Sequence, residues 1–108
     1  MQVISSDTEI FGLLEKSGQA GFDPGKIFVR DFIFEDDWYL LLFNPFGKEK
    51  GCLLFVISPE QIFHEAEKAL IPALLRLENF DQLINPALEI VERLLRDKKN
   101  ERLYFDGH

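Results

Sequence analysis

The chain has 108 residues, enough for one domain that buries roughly 60–70% of the surface its unfolded chain exposes. With 46% apolar and 29% charged residues it reads as a globular chain and not a disordered one. A formal net charge of −7 argues against non-specific nucleic-acid binding, which needs a basic face, and against an anionic membrane surface.

The first residues, Met1 to Ser6, have no basic region followed by an apolar core and are not read as a signal peptide. Ser6-Asp7-Thr8-Glu9 is a capping box, Ser followed three residues later by Glu. Ile10, Phe11 and Leu14 then share one helical stripe, and Gly18 is a stop signal, so a helix is predicted from about Asp7 to Ser17. Ile4 is placed to pack back on its first turn. In Phe22-Asp23-Pro24-Gly25, Pro followed by Gly suits a tight turn.

Three strand-like runs follow: Lys26 to Glu35, Trp38 to Asn44 and Cys52 to Ser58. Glu35-Asp36-Asp37 and Pro45 to Gly51 join them. Both links are short enough for hairpins, which predicts an antiparallel meander. Ser58-Pro59-Glu60-Gln61 opens a helix whose apolar residues run from Ile62 through Leu77 at helical spacing, with a kink expected at Pro72. Asn85-Pro86 repeats the start signal for a last helix to about Lys99, with Leu88, Val91, Leu94 and Leu95 as its stripe. Leu103-Tyr104-Phe105 reads as a fourth strand, a packed tail or a recognition segment. The expected fold is α+β over residues 1–108: a short N-terminal helix, a three-stranded antiparallel meander and two C-terminal helices packed on the sheet, with 101–108 as tail or extra strand.

Nine of the fourteen aromatic residues fall between Phe28 and Phe63. Alternate strand residues share a face. That groups Phe28, Arg30, Phe32 and Phe34 against Ile27, Val29, Asp31, Ile33 and Glu35. It groups Trp38, Leu40 and Leu42 against Tyr39, Leu41 and Phe43, and Cys52, Leu54 and Val56 against Leu53, Phe55 and Ile57. A sheet with one wet face alternates polar and apolar residues; this one does not. Two helices on one side and the first helix on the other can cover both faces. The first helix has only about three turns, so some aromatic surface is expected to remain for a partner or a homodimer.

No chemical motif outweighs a structural reading. Glu35-Asp36-Asp37 matches no calcium loop and reads as a solvated hairpin tip. His64 lacks a second internal His for a metal site and reads as a surface ion-pair residue. Gly47-Lys48-Glu49-Lys50-Gly51 lacks the phosphate-loop order and precedes a strand. Cys52 is the only cysteine, so an internal disulfide is excluded and a reducing, cytoplasmic setting is the simplest fit. It reads as a small core residue. Ser5, Ser6, Ser17 and Ser58 sit at helix ends without a nucleophile elbow. No metal ligand, catalytic residue or cofactor is assigned. The basic residues Arg93, Arg96, Lys98, Lys99 and Arg102 read as a solvated helix end matched to the helix dipole.

The expected function is therefore binding another protein without chemistry, through Arg30, Phe32, Phe34, Trp38, Tyr39, Phe46, Tyr104 and Phe105. A small acidic cytoplasmic adaptor or dedicated assembly chaperone would hold an apolar or basic segment of one client against an aromatic sheet face or edge, an added strand using backbone hydrogen bonds for affinity and aromatic pockets for choice. The capped helix from Asp7, the Lys26–Ser58 meander and the Ser58-Pro59 helix make the plan similar to that of small dedicated chaperones that guard one secreted or assembling client. The resemblance is one of layout, size and acidity; no motif is matched, and two consecutive helices at the end depart from the usual secretion-chaperone order. An inhibitor or immunity-type protein that blocks one enzyme through the acidic N-terminal half is the alternative, and a small enzyme with an unrecognised site is a second.

Overall fold

Ser6 caps the first helix as its sequence asks: its hydroxyl accepts the Glu9 N–H at 3.4 Å, and helix α1 runs over Asp7–Lys16. Gly18, at φ 75°, ends it, and the Gln19 N–H returns to the Leu14 carbonyl at 2.7 Å. The computed structural model describes residues 1–46 and 51–106, with side chains described as far as Lys99. The turn before the sheet closes with the Lys26 N–H on the Asp23 carbonyl, and the Asp23 carboxylate accepts the Gly25 N–H at 2.8 Å.

The sheet has four antiparallel strands in the order β1-β4-β3-β2, where β1 is Gln2–Ile4, β2 Phe28–Phe34, β3 Asp37–Phe43 and β4 Cys52–Ile57. The meander is present, but the expectation of three strands is corrected. The added strand comes from the N-terminus, not the tail, with Val3 beside Phe55. Glu35 and Asp36 turn the β2–β3 hairpin at φ 50° and 70°, so the loop has two residues and Asp37 already pairs with Phe34. Positive φ at both central residues gives the turn a twist that matches the strands. At the other end of β3 the Asn44 N–H meets the Gly51 carbonyl at 2.6 Å. Gly47, Lys48, Glu49 and Lys50, the residues weighed above as a phosphate loop, lie outside the described residues.

The second helical stretch, residues 59–75, is composite. A 3-10 turn at Pro59–Gln61 leads into helix α2 (Ile62–Glu65), a π turn (Ala66–Leu70) and helix α3 (Ile71–Leu75). The irregularity expected at Pro72 takes the form of that π turn, in which the Ile71 N–H reaches back to the Ala66 carbonyl. Pro72 offers no N–H to the Lys68 carbonyl and its ring crowds that group, so the preceding turn widens.

Helix α4 spans Asp81–Asp106, which corrects both ends of the last predicted helix. Pro86 lies inside it and not at its start. A proline there forfeits one hydrogen bond and costs about 3 kcal/mol. Starting a turn earlier buries Phe80 and Leu83, each contributing about 1.5–3 kcal/mol, which outweighs that cost. The segment from Leu103 continues this helix and forms no fourth strand.

Both sheet faces are covered, with the residue sets that the alternation assigns. Helices α2 to α4 cover Trp38, Leu40, Leu42, Phe55 and Ile57. Helix α1 sets Ile10 and Leu14 over Tyr39, Leu41, Phe43 and Leu54. Ten residues of helix reach only about 15 Å, too short for this face. Phe22, from the connecting loop, completes the cover, its ring 5.0 Å from Phe28 and 5.3 Å from Phe43.

Candidate protein interface

β2 is an edge strand: it pairs with β3 on one side and with no described strand on the other. A two-residue hairpin closes on a hydrogen-bonded pair, here Phe34 and Asp37. Alternation along the register then turns the backbone groups of Phe28, Arg30 and Phe32 toward β3. It turns the N–H and C=O of Val29, Asp31 and Ile33 outward, as a row of donors and acceptors with no strand to pair with among the described residues.

Beside this edge, on the side of the C-terminal helices, runs a groove of about 840 Å³ between β2 and α4. Ile27, Val29, Pro86 and Ile90 line it on the apolar side, and Gln82, Glu89, Glu92, Arg93 and Arg96 of α4 make its polar lining. One polar network bridges strand and helix. Asp31 accepts the Trp38 indole N–H at 3.2 Å through one oxygen and the Arg93 guanidinium at 3.1 Å through the other. The pair is partly exposed, so it orients α4 over β2 more than it stabilises the fold. Beyond it, Ile33 is 71% exposed although it lies on the same strand side as Val29.

The residues singled out for partner binding scatter over four environments. Arg30, Phe32, Phe34 and Tyr39 share the α1 side of the sheet. Phe32 and Tyr39 are buried and stacked at 4.9 Å, and Phe34 packs half-buried at the edge of that cluster. Arg30 lies 5.3 Å from the Phe28 ring and donates to the Gln19 carbonyl at 3.4 Å. Trp38 is on the opposite face and only 2% exposed. Phe46, 71% exposed, is in the loop at the far end of β3. Tyr104 and Phe105 continue the α4 backbone, and their side chains lie outside the described residues. The outward row of β2, the exposed Ile33 and the groove against α4 are what sequence reading missed. Arg93, read as part of a solvated helix end, reaches Asp31 across 62 positions of sequence.

Burial, with a smaller contribution from the Asp7 charge, pushes the Cys52 thiol up to about 12, so it is no nucleophile near neutral pH. Burial, then Asp37 and Glu35, raise the Tyr39 phenol. Among the described residues no three acidic, His or Cys side chains gather to hold a metal ion, and no helix is long and apolar enough to cross a membrane. No protein-family model matches the chain, and no curated protein and no solved structure matches it either.

Proposed function

We propose that this chain is a non-catalytic protein-binding module, a cytoplasmic adaptor or dedicated assembly chaperone, that holds an extended segment of one client protein along β2. The observation that carries the reading is the edge of β2, unpaired among the described residues, beside a groove of mixed apolar and charged lining. An added strand would take the outward groups of Val29, Asp31 and Ile33 in a backbone ladder. Its alternate side chains would fall into the groove between β2 and α4, and the others would lie beside Phe28, Arg30 and Phe34. Backbone bonds would supply affinity and the two rows of side chains would supply choice. The acidic tip Glu35-Asp36-Asp37 would speed encounter with a basic segment.

Ile33→Pro tests this directly. The Ile33 N–H points away from β3, so proline there removes an outward donor while leaving the β2–β3 ladder intact. Wild type and Ile33→Pro serve as baits in a lysate of the source organism, with matched thermal melts. A protein retained by wild type and lost by the variant at unchanged melting temperature is the expected result. A protein held equally by both, or none held by either, refutes the edge as the client site.

A further inference from the structure

We infer that a second copy of this chain occupies the same edge when no client does, two β2 strands pairing antiparallel about a two-fold axis at Asp31 to extend the sheet from four strands to eight. The inference rests on the reading of β2 as a docking edge, and it adds an occupant and a register.

The register follows from which backbone groups are free. The outward row is Val29, Asp31, Ile33, and its centre is Asp31. Antiparallel pairing about that centre sets Val29 opposite Ile33 of the second copy, Arg30 opposite Phe32, and Phe28 opposite Phe34. Each pairing occurs twice, as a two-fold interface requires. The three are a β-branched pair, a cation beside an aromatic ring, and an aromatic pair, all cross-strand combinations that stabilise sheets. Around Asp31 the strand is thus nearly palindromic in character, although nothing in the monomer requires it to be.

Two features match each other in this register. Ile33 is 71% exposed, and the groove between β2 and α4 opens beside Val29, which packs half-buried against the core. Pairing places Ile33 of the second copy over Val29, at the mouth of that groove. The charges agree as well. Beyond the ends of the ladder, the acidic hairpin tip of the second copy comes to the same end as Lys26. The two α4 helices run antiparallel near the axis with Arg93 closest to it, so Glu89 of one faces Arg96 of the other, one helical turn to either side. One term opposes the pairing: two Asp31 carboxylates meet on the axis, and like charges directly opposite weaken a ladder. Each already holds Arg93 at 3.1 Å and the Trp38 indole N–H at 3.2 Å, which balances the charge locally. The result is a dissociable dimer, with a dissociation constant roughly in the micromolar range, that can yield its edge to a client.

Sedimentation velocity of the full chain from about 1 to about 500 μM spans that range. Wild type is expected to shift from monomer to dimer, and Ile33→Lys to stay monomeric at an unchanged melting temperature, since that side chain is exposed. The double variant Val29→Cys with Ile33→Cys checks the register. Within one chain these positions are about 13 Å apart along the strand, too far for a disulfide, whereas this dimer sets them side by side. Mild oxidation should give a covalent dimer. A wild type that stays monomeric, a dimer that Ile33→Lys leaves intact, or a double variant that does not cross-link each overturns the inference. If wild type is monomeric yet retains a client that Ile33→Pro loses, the proposed function survives and only the dimer falls.

Discussion

Replacing Trp38 with alanine separates a core role from a surface role for the residue that the sequence presents as an interface anchor. The indole is 2% exposed and packs with Leu40, Phe55 and the helices above them. Truncating a buried tryptophan to alanine costs about 3–5 kcal/mol through lost transfer energy and the cavity left behind. The Asp31 oxygen that accepts the indole N–H also loses its donor, but it is partly exposed, so water recovers most of that loss. The expected total is about 4 kcal/mol, a large share of the roughly 5–15 kcal/mol that a chain this size has, and a fall in melting temperature of roughly 15–20 °C. Trp38→Phe keeps most of the ring and deletes the bond, so it should cost only about 1–2 kcal/mol. Urea unfolding followed by far-UV circular dichroism is the assay, because Trp38 is the only tryptophan and its fluorescence disappears with it. A loss below about 1 kcal/mol for Trp38→Ala would refute the burial argument and return Trp38 to the surface. Equal losses for the two variants would assign the effect to the hydrogen bond instead of the packing.

A Cβ on Gly51 would lie 2.6 Å from the Asn44 carbonyl oxygen, so Gly51→Ala should cost about 1–3 kcal/mol in chemical denaturation, whereas Gly12→Ala, in open space on α1, should gain up to about 1 kcal/mol; equal effects would refute the steric account. Pro86→Ala restores an N–H inside α4 and should raise stability by about 1–3 kcal/mol in the same assay, and a loss would show that the proline stiffens the helix usefully. The Cys52 thiol stays protonated in the folded chain up to about 12, while the unfolded chain ionises it from its ordinary value of 9.0. The unfolded state therefore binds fewer protons between those values, and stability should fall as pH rises through that window, by at most about 1.4 kcal/mol per pH unit. The raised Tyr39 phenol adds a fall of the same sign from its ordinary value of 10.0 upward, so Cys52→Ala should reduce the alkaline loss without abolishing it; an unchanged slope in pH-dependent urea melts would count against the buried thiol.

The two faces of the sheet were legible because strand alternation is strict. Val29 joins Trp38, Leu40 and Leu42 under the C-terminal helices, and Phe32 joins Tyr39 and Leu41 under α1, as the spacing of two requires. β1 was not legible. Gln2-Val3-Ile4 is too short to show a period, and the strand exists through its pairing with Val56, Phe55 and Leu54, fifty or more positions away. At α4 a strong local signal lost to packing. Asn85-Pro86 marks a helix start by every local criterion, but burial of Phe80 and Leu83 against the sheet draws the helix a turn further back. Phe22 carried turn chemistry on its C-terminal side and gave no hint that its ring seals the α1 face. The interface features share this obscurity: Asp31 and Arg93 lie on different elements, and the exposure of Ile33 depends on where α4 stops covering β2.

Of the two places that the sequence reading offered for a client, a sheet face or a sheet edge, these placements favour the edge for the proposed binding. Phe32, Trp38 and Tyr39 are consumed by the fold, so a client cannot reach them without opening the core. Of the two edges, β1 has three residues and β2 has seven. Only alternate residues point outward, so β1 presents one or two residues to an incoming strand where β2 presents three. At about 0.5–1.5 kcal/mol for each net hydrogen bond, the longer edge holds a clear advantage. The groove beside β1, lined by Gln2, Ile4 and Lys16 among others, has about 460 Å³, roughly half that beside β2. A seven-residue edge with no described partner strand is also an aggregation hazard, and a charge set into such a strand is a recognised defence. Asp31 sits at the midpoint of the outward row, held by Trp38 on one side and Arg93 on the other. It weakens indiscriminate strand addition while leaving the backbone groups on both flanks free. On the proposed reading, a partner would have to gain enough from the side-chain rows at Val29 and Ile33 to offset that charge, which would make a generic sticky edge a selective one.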